Sequence, residues 1–172
     1  MLQQLEAKPK LVALDMMNYW IEGALPELLT VLRCVNILLI NDSEARQLSG
    51  RYNLVAAAAR IRKMGPKAVV IKRGEHGATL FAGKTTFSAP AMPLKLVRDP
   101  TGAGDSFAGG FMGSLTASGS INDAALRRAM IYGSVMGSFA VEHFGLSRLR
   151  RLTKRQIAER AREFRHLTHF VL

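Results

Sequence analysis

The sequence predicts an α/β fold with a mostly parallel sheet and helices on both of its faces. Three observations carry that expectation. Val35–Ile40 (VNILLI) and Ala68–Ile71 (AVVI) are apolar at nearly every position, as in strands covered on both sides. Helix-compatible stretches with start and stop signals alternate with these runs. A third apolar run, Leu94–Val97, leads into a small-residue junction, Asp99-Pro100-Thr101-Gly102-Ala103-Gly104-Asp105, from which a helix departs.

In chain order, Met1–Lys8 reads as the tail of a helix stopped by Pro9. Leu11–Leu14 reads as a short buried strand ending at Asp15, which with Asn18 falls at a carboxyl strand end, where open α/β sheets bind ligands. The residue types at Asp15 suit a turn equally well. Leu25–Arg33 reads as a helix with Pro26 in its first turn. The strand Val35–Ile40 runs into Asn41-Asp42-Ser43-Glu44, where Asp42 or Ser43 can cap a helix ending at Gly50 and where the residue pattern of Asn41 and Glu44 by itself favours capping chemistry. Asn53 caps a helix through Met64, closed by Gly65-Pro66. Ala68–Ile71 and Ala78–Phe81 flank Lys72-Arg73-Gly74-Glu75-His76-Gly77, a hairpin turn with glycines where unusual dihedrals are needed. Lys84–Ser88 is a further strand, and Ala89–Pro93 an extended, proline-set connection. The helix Asp105–Ser118 stops at Gly119, and Ser120 with Asp123 resembles a capping box for Ala124–Glu142. Gly133, Ser134, Gly137 and Ser138 give that helix a small-residue face suited to close packing or to a flat ring. Thr153-x-x-Gln156 caps a last, amphipathic helix that docks through Ile157, Ala161, Phe164 and Thr168.

Composition narrows the class. The chain has 172 residues, 48% of them hydrophobic, enough for one domain with a core and too apolar for a disordered chain. Its single cysteine, Cys34, precludes an internal disulfide and suits a reducing, cytoplasmic setting. No apolar run has the length of a membrane helix, and MLQQLEAKPK has no secretory h-region. The formal charge of +11 raises nucleic acid as a partner. Residues 148–172 hold more than half of that excess, eight Lys/Arg against two Glu, outside the glycine-rich junction. With no aromatic–basic interleaving or zinc spacing, a solvated helix face accounts for the charge better than nucleic acid does.

The junction decides the chemistry. Amides at a helix N-terminus favour an anion, and Asp105 stands beside them, able to stabilise the helix end or to accept a hydroxyl proton. It is not a Walker A loop, which ends Gly-Lys-Ser/Thr where this chain has Gly104-Asp105-Ser106. It is not a dinucleotide fingerprint, whose third glycine would fall at Phe107. Asp99–Gly110 resembles instead the Asp-Thr-x-Gly-Ala-Gly-Asp motif of the ribokinase-like carbohydrate kinases, the PfkB family, with Pro100 at a position where Thr is frequent.

The resemblance implies a three-layer α/β/α kinase that transfers a phosphoryl group from ATP to a sugar or nucleoside hydroxyl. Asp105 would be the general base, and the Gly102, Ala103 and Gly104 amides the anion hole. Asn41-x-x-Glu44 is similar to the family's Asn-x-x-Glu motif near magnesium and the phosphates, with Glu44 acting through water. By the same resemblance Lys72, Arg73, Gly74, Glu75, His76 and Gly77 lie along the nucleotide, and Ser134 falls near it. Asp99 and Thr101 would contribute to a monovalent cation site, often potassium, that the loop with His143 and Gly145 completes. The match covers residues 1–172 as the C-terminal portion of one kinase domain. It leaves the family's Gly-Gly motif, N-terminal strands, β lid and much of the sugar site outside this chain. A truncated nucleotide-binding piece without turnover, pairing with a second copy or with a missing half, is the alternative; a basic nucleic-acid binder is the remote one.

Overall fold

A computed structural model describes residues 4, 6–169 and 171. The helix tail expected over residues 1–8 falls partly outside the described residues, and Glu6–Ala7 form a bend.

Among the described residues, five strands form one sheet in the order β1-β2-β3-β4-β5. They are β1 (Ala13–Asp15), β2 (Ile37–Asn41), β3 (Ala68–Lys72), β4 (Ala78–Ala82) and β5 (Thr85–Ala89). The first three run parallel, with Asp15 opposite Leu39 and Asn41 opposite Lys72. The last two form an antiparallel meander, so the sheet is mixed. The parallel register brings the carboxyl ends of β1, β2 and β3 together, and with them Asp15, Asn41 and Lys72.

Strand pleating explains the continuous apolar runs. Leu38, Ile40, Val69 and Ile71 point to one face. There they meet α1 (Asn18–Gly23), α2 (Leu25–Leu32), α3 (Asp42–Ser49) and α4 (Leu54–Arg62). Ile37, Leu39, Ala68 and Val70 point to the other, against α5 (Ala103–Ser118) and α6 (Asp123–Ala140). Burial on both faces is what a three-layer α/β/α arrangement requires. A smaller cluster of Val135, Phe139 and Phe164 fastens α7 (Lys154–Thr168) to the end of α6.

Helix signals operate largely as the residues suggest. Gly50 ends α3 in the left-handed conformation, at φ 63°. Asn53 accepts from the Val55 and Ala56 amides, and Thr153 and Gln156 form the reciprocal capping box of α7. Asn41 and Glu44 carry the capping chemistry their residue types suggest, in place of Asp42 or Ser43: the Asn41 side chain accepts from Glu44 N while Glu44 reaches back to Asn41 N. One cap differs from expectation. Asn122, not Ser120, caps α6 by accepting from Ala125 N at 2.9 Å.

Leu94–Val97 is not a strand: it runs as irregular chain, with Leu96 and Val97 more than half exposed. A strand needs a neighbour for its backbone groups. This segment follows β5 at the sheet's far edge and is held by Arg98 N donating to Val141 O instead.

Candidate functional site

The glycine-rich junction starts α5 without a side-chain cap. Gly102, at φ 75°, is the N-cap and has no side chain to occupy the first amides. Ala103 N donates to Pro100 O and Ser106 N to Gly102 O. The amides of Gly102, Gly104 and Asp105 have no hydrogen-bond partner among the described residues. Of the three amides expected to form an anion hole, those of Gly102 and Gly104 are without a partner among the described residues, as is that of Asp105, while the Ala103 amide is engaged in the turn. Asp105 is exposed, in the first turn of α5.

Lys72 ends β3 and projects toward this helix start. Its Nζ lies 3.1 Å from the position a Cβ on Gly104 would take. The same ammonium donates to Asp15 Oδ1 at 2.6 Å. A Cβ at position 104 would crowd that ammonium and displace it by a few tenths of an ångström, so glycine there lets the two lie close.

A cleft of about 800 Å³ opens beside this group, within the range of small-molecule sites. The hairpin turn forms one wall through Lys72, Gly74, Glu75 and Gly77. Gly77, at φ 80°, packs so closely that a Cβ would lie 2.1 Å from Ala89 O. Met92, Pro93, Leu94 and Val97 form an apolar strap, and Phe107, Gly137 and Val141 the opposite side. The strap residues escaped sequence reasoning because an irregular segment has no periodicity to read; their one signal was apolar side chains beside prolines. A second groove, of about 570 Å³, runs between α5 and α7 past Gly109, Gly113 and Ile157.

Of the residues expected at the nucleotide, Asn41, Lys72, Gly74, Glu75, Gly77, Gly104 and Ser134 line the cleft, as does Ala103. Arg73 and His76 do not: Arg73 Nη2 donates to His76 O and ties the turn together, while the His76 ring faces solvent. The small-residue face of α6 serves both purposes. A Cβ on Gly133 would press on the Phe107 ring at 3.0 Å, so α5 packs there, whereas Ser134, Gly137 and Ser138 reach the cleft.

Glu44 is buried within the capping box, its Oε2 accepting from Asn41 N at 3.0 Å. Asn41 Oδ1 accepts from both Glu44 N and Ser43 Oγ. Asp42 lines the cleft but is paired with Arg46. No group of three or more His, Cys, Asp or Glu side chains converges among the described residues. Glu44 stands outside the cleft lining and Asn41 Oδ1 already accepts twice, so an Mg²⁺ near these residues would be held mainly by water and phosphate.

Asp99 is buried behind the junction, with Oδ1 accepting from Thr101 N at 2.9 Å. The Thr101 amide and hydroxyl hold its carboxyl below the usual carboxylate range, with burial opposing and a Gly145 amide assisting. Among the described residues no helix is long and apolar enough to cross a membrane.

The fold and cleft define a class: an α/β protein with an uncapped helix start beside a cleft at the carboxyl ends of parallel strands. More narrowly, the chain belongs to the pfkB family of carbohydrate kinases, whose sequence pattern matches residues 2–151. It is 41% identical over 80 residues to a cytidine kinase of Thermococcus kodakarensis, covering 45% of this chain and 28% of that protein. It is 32% identical over 109 residues to a 2-dehydro-3-deoxygluconokinase of Escherichia coli, covering 62% and 35%. The solved aminoimidazole riboside kinase of Salmonella enterica, complexed with aminoimidazole riboside and an ATP analog, superposes with a TM-score of 0.74 at 26% identity. That match covers 87% of this chain and 52% of the kinase. The chain thus spans about a third of the curated relatives it matches and about half of that solved structure.

Proposed function

We propose that these residues form the nucleotide-binding and catalytic part of an ATP-dependent kinase acting on a sugar or nucleoside hydroxyl. The observation that carries the reading is the open amides of Gly102, Gly104 and Asp105 with the Lys72 ammonium beside Gly104. A cation lies beside the Gly104 end of that helix start, with the Asp105 carboxylate in the same first turn, although Gly102 and Asp105 stand outside the cleft lining itself.

The adenine and ribose lie in the cleft between the Lys72–Gly77 turn and the Ser134 face of α6. The terminal phosphate meets the start of α5. Asp105 takes the proton of the acceptor hydroxyl as it attacks phosphorus, and the amides stabilise the charge on the phosphoryl oxygens. Mg²⁺, held near Asn41 and, through water, Glu44, neutralises phosphate charge when bound. A monovalent cation such as K⁺ belongs at the loop formed by Asp99, Thr101 and Gly145. A cytoplasmic setting suits the single, exposed thiol.

Residues 1–172 act as the C-terminal portion of one ribokinase-like domain, and a further half supplies most of the sugar site. The outer edge of β1 is unpaired among the described residues, and Met17, Tyr19 and Trp20 follow it exposed. An open edge beside apolar side chains invites another strand, from such a half or from a second copy. The same edge supports the second reading, a chain that binds nucleotide without turning it over.

Coupled ADP release with sugars and nucleosides, run beside an ATP-dependent thermal shift, tests both. Turnover with any acceptor supports the kinase, and Asp105→Asn should lower it about 10²- to 10⁴-fold while the thermal shift persists. A thermal shift without turnover supports the second reading. Turnover unaffected by Asp105→Asn removes that residue from the reaction.

A further inference from the structure

Asp15 is two strands away from Lys72, since β2 lies between β1 and β3, and 57 residues away in sequence. The two side chains nevertheless meet at the carboxyl edge of the sheet, where Lys72 Nζ donates to Asp15 Oδ1 at 2.6 Å. That oxygen also accepts from Met16 N at 3.1 Å, an amide it shares with Leu39 O of the neighbouring strand. Lys72 and Gly104 line the cleft, and Asp15 stands outside its lining. The carboxylate therefore backs the ammonium, and the ammonium reaches the helix start.

A lysine is a point charge on a flexible four-carbon stem, and holding it in one place costs side-chain entropy. It also has no intrinsic reason to rest beside the positive end of a helix. A neighbouring carboxylate supplies both the anchor and the compensating charge. It leaves the ammonium's other donors available, since an ammonium has three and this contact uses one.

We propose that Asp15 is a positioning residue: it aims the Lys72 ammonium at the phosphate nearest Gly104 and so makes the site respond to a nucleoside triphosphate's terminal phosphate. This rests on the nucleotide reading given above. With nothing behind it, the lysine would still be charged but would no longer be presented at the helix start. The triphosphate's terminal group loses most by that, while the base, ribose and inner phosphates keep their own contacts.

The test is a titration-calorimetry cycle on the 172-residue chain with ATP and ADP, both with Mg²⁺, using Asp15→Asn, Lys72→Met, the double variant and Asp15→Glu. Lys72→Met should weaken ATP about tenfold, the scale of one charge-assisted contact, and ADP far less. Asp15→Asn should weaken ATP about three- to tenfold with little change in ADP, and should add less than about twofold in the Lys72→Met background. Asp15→Glu should recover most of the loss, and it keeps the cycle readable if the asparagine variant does not fold. Tighter ATP binding by Asp15→Asn would make the carboxylate a competitor and overturn the proposal. Equal losses for ATP and ADP, or an undiminished loss without Lys72, would do the same. If the unaltered chain binds neither nucleotide, the nucleotide reading falls and this proposal with it. Binding without coupling between the two positions removes the role of Asp15 alone.

Discussion

Replacing Glu142 with glutamine should loosen the back of the cleft. Glu142 follows α6 and accepts from Arg148 Nε at 2.9 Å and from Arg160 Nη2 at 2.6 Å. Both guanidinium groups also lie over the Phe139 ring, with Cζ 4.9 Å and 3.6 Å from its centroid. Arg160 donates in addition to Ser138 Oγ, a residue of the cleft wall. One carboxylate thus joins α6, the 142–148 loop and α7. The three side chains are only 16–21% exposed, so solvent screens the contacts less than on an open surface. Glu142→Gln keeps the shape and removes the charge from two partly buried ion pairs, for a cost of about 2 kcal/mol, between the surface and fully buried limits. For a chain of this size that is about 4–8 °C in Tm. Burial pushes the Glu142 carboxyl up, but hydrogen bonds and charge from Arg148 and Arg160 outweigh it and hold the pKa below the usual glutamate range. A depressed folded pKa means that this stabilisation is complete above the unfolded value and is lost as pH falls through the folded one. The difference between wild type and Glu142→Gln should therefore be full at pH 7 and shrink below about pH 4. Urea unfolding at the two pH values measures it. A Tm change under about 1 °C, or a difference that grows in acid, would refute the reasoning.

Further outcomes follow from single contacts. Gly77→Ala places a methyl on Ala89 O at a positive φ; it should cost at least about 2 kcal/mol by urea unfolding and weaken nucleotide binding. Phe164→Ala empties a fully buried site that holds α7, for about 3–5 kcal/mol, with exchange protection lost first in Lys154–Thr168. Carbon-detected titration of Asp99 should give a midpoint below the ordinary aspartate value, and Thr101→Ala should raise it only partway, because the position-101 amide still donates.

The parts legible in sequence were those fixed by short-range rules. The apolar runs of β2 and β3 had to be covered on both sides, and the two core clusters divide each of them residue by residue. Thr153-x-x-Gln156 and Gly50 describe their own caps. The junction at 99–105 was legible because its order is specific. What stayed hidden depends on tertiary neighbours. The short α1 has no side-chain cap to announce it. Asn41, Asp42 and Ser43 all suit a cap, and only the reach of Glu44 selects the first. Leu94–Val97 is apolar in part because Leu94 and Val97 line the cleft, a pattern that imitates a strand. The Asp15–Lys72 contact is visible only once the strands are in register.

Amide hydrogen exchange with and without ATP and Mg²⁺ tests the central claim most directly, because it locates the ligand without requiring turnover. Slowed exchange should appear at Gly102, Gly104 and Asp105, whose amides are open without ligand, and in the 72–77 turn. Protection confined to the α5–α7 groove around Gly113 and Ile157, or an unchanged 102–105 segment when ATP is bound, would contradict it.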